Sequence, residues 1–357
     1  LRKDRIEKLL NKMAKNNIYQ AIISSPASLY YFLNEWFEPG ERLLVLFVNT
    51  SGEVKLLVNE LFPVNTVEEE NLIKYSDSED PIKMLSSIIE KDKSLGIDGS
   101  WEAGFLLGLM EITKDLSLKP LSPIISELRM VKDVDEIVLM KSSSLLNDTA
   151  MEKVIDLVSE MLPEKYLAKA IKNIFEKEGA DGVSFEPIVG YGQNTSNPHH
   201  IPTNAKLKDG DVVLIDMGCI KNYYCSDMTR TVFFGKPIET MKNIYQIVLE
   251  ANLEAIEKVK PGLKACEIDG TARNYIESKG YGKYFTHRTG HGVGIDIHEK
   301  PYISSNSEEI LTPGMIFSIE PGIYLPGVGG VRIEDLVLVT DNGCEVLNKY
   351  PKDFLVI

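Results

Sequence analysis

HRTGHGVGIDIHE (His287–Glu299), followed by MIFSIEPGIY (Met315–Tyr324) and GGVRIED (Gly329–Asp335), marks a stretch, His287–Asp335, that gathers three of the chain's five histidines and eight of its 26 glycines. Glycine at this density lets backbone approach a bound group closely and adopt positive φ. Two apolar runs, Met315–Ile319 and Val331–Ile333, each deliver a glutamate at their end, Glu320 and Glu334. Short hydrophobic strands ending in acids, beside a glycine-flanked histidine, predict a site for a hard cation with mixed oxygen and nitrogen ligands.

Outward from this stretch, the chain repeats itself. Leu207–Gly218 (LKDGDVVLIDMG) aligns with Leu311–Gly322 (LTPGMIFSIEPG) at a constant offset of 104, pairing Asp216 with Glu320 and Gly218 with Gly322. The preceding segments match in kind. A long helical pattern from Asp133 to Met161 and a proline-started one, Pro163–Gly179, are answered by Pro237–Lys260 and Pro261–Gly280. Each half reads helix, helix, strands, which makes duplication a better account than chance over one window. Two such halves related by a pseudo-two-fold axis place Asp216 and Glu320 on opposite sides of one central site.

Asp227, in CSDMTRTVFF, stands eleven residues beyond Asp216 at the entry to another β-rich run. With His291, Glu320 and Glu334 these form a set of five. Singly, an acid at a strand end is more often a cap, and a lone histidine is more often structural; the specificity lies in the combination. Four carboxylates and an imidazole exceed what one cation needs, and unpaired they would be costly to bury or would protonate. Two divalent ions balance the charge, and a metal pair about 3.5–4 Å apart can activate a bridging hydroxide and polarise a carbonyl. That chemistry is hydrolysis.

Composition narrows the alternatives. The chain has 357 residues, 43% hydrophobic and 26% charged, enough for two domains with large cores. A net charge of −14 argues against nucleic acid or an anionic membrane as partner. The four cysteines, Cys219, Cys225, Cys266 and Cys344, form no CxxC pair, as expected of idle thiols in a reducing compartment. The opening LRKDRIEKLL is charged rather than apolar, unlike a signal peptide, and no apolar run approaches the ~20 residues that span a bilayer. A cytoplasmic protein is expected.

Residues 1–122 read as a smaller α/β domain. Ile6, Leu9, Leu10 and Met13 fall at helical spacing, Ala21–Ile23 is a strand, and Arg42–Val48 with Val54–Val58 flank a hairpin turn at Asn49–Gly52. A helix from Pro81 to Lys91, a strand at Leu95–Asp98 and a helix at Trp101–Ile112 follow. Trp36 and Phe37 in the loop Asn34–Gly40 suit packing, with a lid as the rarer role. The two prolines of Leu118–Pro123 mark the expected joint, with residues 123–357 as the second domain.

NPHHIP (197–202), VVLIDMG (212–218), CSDMTRT (225–231), HRTGHGVGIDIHE, FSIEPGIY (317–324) and VRIEDLVLV (331–339) together resemble the pita-bread metallopeptidases. That family includes methionine aminopeptidase, aminopeptidase P and Xaa-Pro dipeptidase (prolidase). SELRMVKDVDEIVLMK (126–141) is similar to the start of its catalytic domain. SPASLYYFLNEWFEPGERLLVLFV (25–48) is similar to the creatinase-like N-terminal domain of the prolidase and aminopeptidase P branch.

The resemblance implies an α/β fold with a pita-bread catalytic domain built on the pseudo-two-fold repeat. It implies a peptidase cleaving before proline in short peptides, with a homodimer as the assembly and the Trp36 loop near the partner's cleft. It makes Asp216, Asp227, His291, Glu320 and Glu334 the ligands of two divalent ions, with Asp227 and Glu334 bridging. Manganese suits the oxygen-rich set, with cobalt, iron or zinc able to occupy the same cage. Glu320 becomes also a proton shuttle, His199 and His298 become catalytic donors near the scissile carbonyl, and His287 and Arg332 become substrate-pocket residues. The prolidase pattern has glycine after its catalytic histidine, where this chain has His200, so His199 and His200 remain rivals.

An Xaa-Pro dipeptidase is the first expectation and aminopeptidase P the alternative: the first must bind a free carboxylate next to proline, the second must leave that direction clear. A metal-free creatinase-type amidinohydrolase and a binding-only protein share the fold, but the complete ligand set argues against both.

Overall fold

The computed structural model describes residues 1–357. It contains two compact units, Leu1–Arg129 and Met130–Ile357. No helix is long and apolar enough to cross a membrane.

The first unit is built on a six-stranded mixed sheet. Its strands run in the spatial order Leu72–Tyr75, Val54–Asn59, Val45–Asn49, Gln20–Ile23, Leu95–Ile97, Leu118–Pro120. The hairpin expected at Asn49–Gly52 forms. Asn49 Oδ1 accepts from the backbone N–H groups of Ser51 and Glu53, both at 3.1 Å, so the side chain closes the turn. Helices Lys3–Lys15, Pro26–Leu33, Pro81–Ile88 and Ala103–Ile112 belong to this unit, the third ending three residues before the expected Lys91. Phe37 is buried and Trp36 lies 6.1 Å from the ring of Tyr30, a packing role for both.

Leu118–Pro123 is structured rather than a linker. Leu118–Pro120 is the edge strand, paired parallel with Leu95–Ile97, and a helix runs over Ser122–Met130 with Ile124 and Ile125 buried. A proline on an edge strand and another in the first turn of a helix break neither element. The first unit therefore extends to Arg129, seven residues past the expected boundary at 122.

The second unit carries the duplication in its architecture. Helices Val134–Val158 and Glu164–Lys177 pack on strands Ile188–Tyr191, Val212–Met217 and Met228–Phe233. Helices Glu239–Lys258 and Ala265–Ser278 pack on strands that include Ile316–Ile319 and Asp335–Val339. In each half the strand delivering the repeated acid is central. Val212–Met217 lies between Met228–Phe233 and Ile188–Tyr191, as Ile316–Ile319 lies between Asp335–Val339 and Gly290–Gly292. Each long helix also sends a buried asparagine amide to the backbone beside that acid. Asn147 Nδ2 donates to Met217 O and Asn252 Nδ2 to Ile319 O, both at 2.9 Å.

Asp133 caps the first long helix in a reciprocal box with Glu136. Pro163 sits at the cap position of the next helix, extended at ψ 148°, one residue before the first helical turn expected for it.

Candidate metal centre

The predicted ligands come from strand ends and strand edges of both halves. Asp216 is the penultimate residue of its strand, Asp227 immediately precedes Met228–Phe233, and Glu334 immediately precedes Asp335–Val339. His291 occupies the middle of Gly290–Gly292, and Glu320 follows Ile316–Ile319. The glycines around His291 are required by close approach. A Cβ at Gly290 would lie 1.8 Å from Ser318 O, and one at Gly292 would lie 2.1 Å from Lys300 O.

All five line one cavity of about 400 Å³. Asp227, His291 and Glu334 each place one ligand atom within 4.8 Å of the other two. His291 Nε2 lies 3.3 Å from Glu320 Oε1 and 3.7 Å from Asp227 Oδ2. Asp216 is bound by Arg332, whose Nη2 donates to its Oδ2 at 2.6 Å. Its other oxygen, Oδ1, is buried without a hydrogen-bond partner.

Electrostatics explains why this arrangement suits cations. Burial, then the charges of Asp216 and Glu320, pushes the Asp227 carboxyl well above the usual carboxylate range. Burial and the neighbouring Asp227 do the same to Glu334, and burial pushes Glu320 up to about 7. Burial and the nearby His298 bring His291 down to about 3, which keeps it neutral, the form that ligates a metal. Three clustered carboxyls that resist ionising, Asp227, Glu320 and Glu334, beside an orphan oxygen on Asp216, lack one thing: positive charge between them. The residues present therefore fit a divalent metal site.

The supporting contacts include residues that the sequence reading left without a role. Thr229 Oγ1 donates to Glu334 Oε2 at 2.8 Å and accepts from Arg332 Nε at 3.1 Å. Ser318 Oγ accepts from His291 N at 3.0 Å and donates to Glu320 Oε1 at 3.1 Å. Both stand two residues from a ligand along a strand path, so the period of two was available to find them. The Tyr324 hydroxyl accepts from Arg332 Nη1 and meets His287 Nε2, each at 2.9 Å. It ends the quoted FSIEPGIY segment, but nothing in the sequence says that its hydroxyl turns inward. Arg288, Phe185, Ile188 and Ile297 complete much of the lining and had no distinguishing signal.

The remaining predicted residues divide clearly. His298 lines the cavity with its ring centroid 4.3 Å from that of His291, and His287 lines it through the Tyr324 contact. His199 also lines it. His200 does not: its Nε2 meets Glu164 Oε2 at 2.9 Å. The fully buried Glu164 also accepts from Tyr191 N, Asn194 Nδ2, Thr203 N and Thr203 Oγ1, at 2.6–2.9 Å. One carboxylate thus pins both ends of the loop that carries His199.

Comparison with known proteins agrees with this geometry. The sequence profile of metallopeptidase family M24 matches residues 138–341, and that of the creatinase/prolidase N-terminal domain matches residues 5–131. The chain is 36% identical over 355 residues to an Xaa-Pro dipeptidase of Pyrococcus furiosus, covering 99% of this chain and 100% of that one. A crystal structure of a prolidase from Thermococcus sibiricus superposes with a TM-score of 0.93 at 40% identity over 99% of both chains. An X-Pro aminopeptidase from Thermotoga maritima matches at TM-score 0.83 and 28% identity, over 95% of this chain and 98% of that one. With two profile matches that meet the two units and a ligand set gathered in one cavity, the chain belongs to metallopeptidase family M24, with a creatinase/prolidase-type domain at its N-terminal side.

Proposed function

We propose that the protein is an Xaa-Pro dipeptidase, hydrolysing the peptide bond before proline in dipeptides. The observation that carries this reading is the convergence of four carboxylates and a neutral histidine in one cavity whose lining also offers Phe185, Ile188, Pro198 and Ile297 to an apolar ring. The full-length likeness to relatives named Xaa-Pro dipeptidase and prolidase supports it.

Asp227 and Glu334 would hold both metal ions, Asp216 one of them, and His291 with Glu320 the other. When bound, the ions lower the pKa of a water and polarise the scissile carbonyl. Oxygen-rich ligation with a single imidazole favours manganese. Glu320, steadied by Ser318, takes the proton from the attacking water and passes it to the leaving proline nitrogen. His199 and His298 donate hydrogen bonds where the carbonyl oxygen gains charge. Arg332 holds Asp216 in place, and the Tyr324 hydroxyl links Arg332 to His287 on the substrate side.

The deciding experiment is initial rates on Ala-Pro and Ala-Pro-Ala, with metal-stripped protein and with manganese restored. Metal-dependent cleavage of the dipeptide in preference to the tripeptide is the expected result. Faster cleavage of the tripeptide would instead make this an aminopeptidase, the reading favoured by the Thermotoga maritima likeness. No cleavage of either would sink the proline-peptidase assignment.

The two adjacent histidines separate by mutation. His199→Ala should lower kcat by roughly 10²–10³-fold, the usual loss of one oxyanion donor, with metal content unchanged. His200→Ala should act more weakly, through the loop pinned by Glu164. A larger kcat loss for His200→Ala than for His199→Ala would reverse the assignment.

A further inference from the structure

We infer that Arg288 is the residue that recognises the free carboxylate of an Xaa-Pro dipeptide and so decides dipeptidase against aminopeptidase specificity; this rests on the function proposed above. In such a substrate the carboxylate is attached to the carbon bonded to the scissile nitrogen. It must therefore enter the same cavity as the reacting atoms. That cavity is lined by four carboxylates of the metal centre and by Glu186, so an unassisted anion would be repelled. Two divalent ions would balance the four ligand carboxylates and leave no surplus positive charge. A further cation is needed.

The lining offers two, Arg288 and Arg332. Arg332 is committed: it is 3% exposed and donates to Asp216 Oδ2, Tyr324 OH and Thr229 Oγ1 at 2.6, 2.9 and 3.1 Å. Arg288 is half-buried, and its guanidinium pairs with no carboxylate of the chain. The guanidinium rests over the face of Tyr302, with its carbon 4.5 Å from the ring centroid. Tyr302 pairs with His291 in the antiparallel register and lies outside the cavity lining, so it supports Arg288 from the outer side while Arg288 itself lines the cavity. A guanidinium resting on an aromatic face is held in orientation while its N–H edge stays available, the arrangement that accepts a carboxylate in two parallel hydrogen bonds. Two of the cavity histidines, His287 and His298, do not compete for this role. Burial holds His287 near 4, and burial together with the Arg288 charge lowers His298, so both are neutral at physiological pH.

Arg288 lies between His287 and His291, where a lone arginine is as readily a surface packing residue. What separates the two roles is a substrate that lacks only the charge.

The test compares kcat/KM for Ala-Pro with that for Ala-Pro amide, using manganese-loaded protein, in the unaltered chain, Arg288→Met and Arg288→Lys. The unaltered protein should prefer the free acid. Arg288→Met should cut that preference by roughly 10- to 100-fold, mostly through KM on Ala-Pro, which is the span of one charge-assisted hydrogen bond. Arg288→Lys, which keeps the charge without the planar fork, should fall between the two. Metal content and the melting temperature are read on each variant, so that lost metal is distinguished from lost recognition. A preference that survives in Arg288→Met, or rates on acid and amide that fall in parallel, would overturn the inference while leaving the proline-peptidase reading intact. Absence of cleavage of either substrate by the unaltered protein would remove that reading and this inference with it.

Discussion

Replacing Glu334 by alanine is expected to leave the protein unable to retain two metal equivalents, and to lower kcat/KM on Ala-Pro by at least about a thousandfold, more than loss of a single oxyanion donor costs. The reason is geometric. Glu334 is 2% exposed and stands at the junction of the two half-sheets, its N–H donating to Thr229 O at 3.2 Å. Thr229 fixes its Oε2, and it shares the trio with Asp227 and His291. In the proposed centre this carboxylate would hold both ions, whereas Asp216 and Glu320 would each hold one. Asp227→Ala should behave alike. Glu334→Gln, which keeps the volume, separates ligation from packing. Elemental analysis of dialysed protein, alongside rates, is the measurement. Two full equivalents in the alanine variant would take Glu334 out of the metal site.

Stripping the metal should lower the melting temperature, and by an amount that grows with pH. A ligand present at a hundred times its dissociation constant stabilises the folded state by about 2.7 kcal/mol. For a unit of this size that is roughly 5–10 °C. The pH dependence follows from the raised carboxyls. In the metal-free fold Asp227, Glu334 and Glu320 hold protons that the unfolded chain has released, Glu320 from its ordinary 4.5 up to about 7. Between those values the folded state binds more protons than the unfolded state, so metal-free stability falls as pH rises through that window. Bound cations favour the ionised carboxylates and remove this contribution. Thermal melts at pH 5, 6, 7 and 8, with chelator and with manganese, read it directly. A metal-free protein equally stable across this range would mean that the carboxylates are not clustered as described.

Much of the centre was legible in the sequence because the signals are local. An apolar run delivers its strand and, at its end, its acid, which points to Asp216, Glu320 and Glu334 from neighbouring residues alone. Glycines on both sides of His291 announced a backbone with no room for side chains, and Ser318 O and Lys300 O fill that space. The offset of 104 between VVLIDMG and FSIEPG anticipated two halves of helices and strands, and in each the acid-bearing strand lies between two neighbours. Prolines misled the reading once. Pro120 and Pro123 look like a linker in one dimension, yet an edge strand and a first helical turn accommodate both, which moved the boundary to Arg129.

The partners of the ligands were not legible, because they lie far apart along the chain. Arg332 reaches Asp216 across 116 residues, and Thr229 reaches Glu334 across 105. The same holds for the adjacent histidines: NPHHIP names two candidates, and the choice depends on Glu164, 36 residues earlier, capturing His200.

The sequence by itself determined which residue types meet and in what order, since strand period, terminal acids and glycine flanks are properties of neighbouring residues. Only the tertiary structure decided which histidine faces the cavity, which arginine is bound to an acid and which stays available. Those outcomes depend on how distant segments pack and share hydrogen-bond acceptors, and no local pattern encodes that competition.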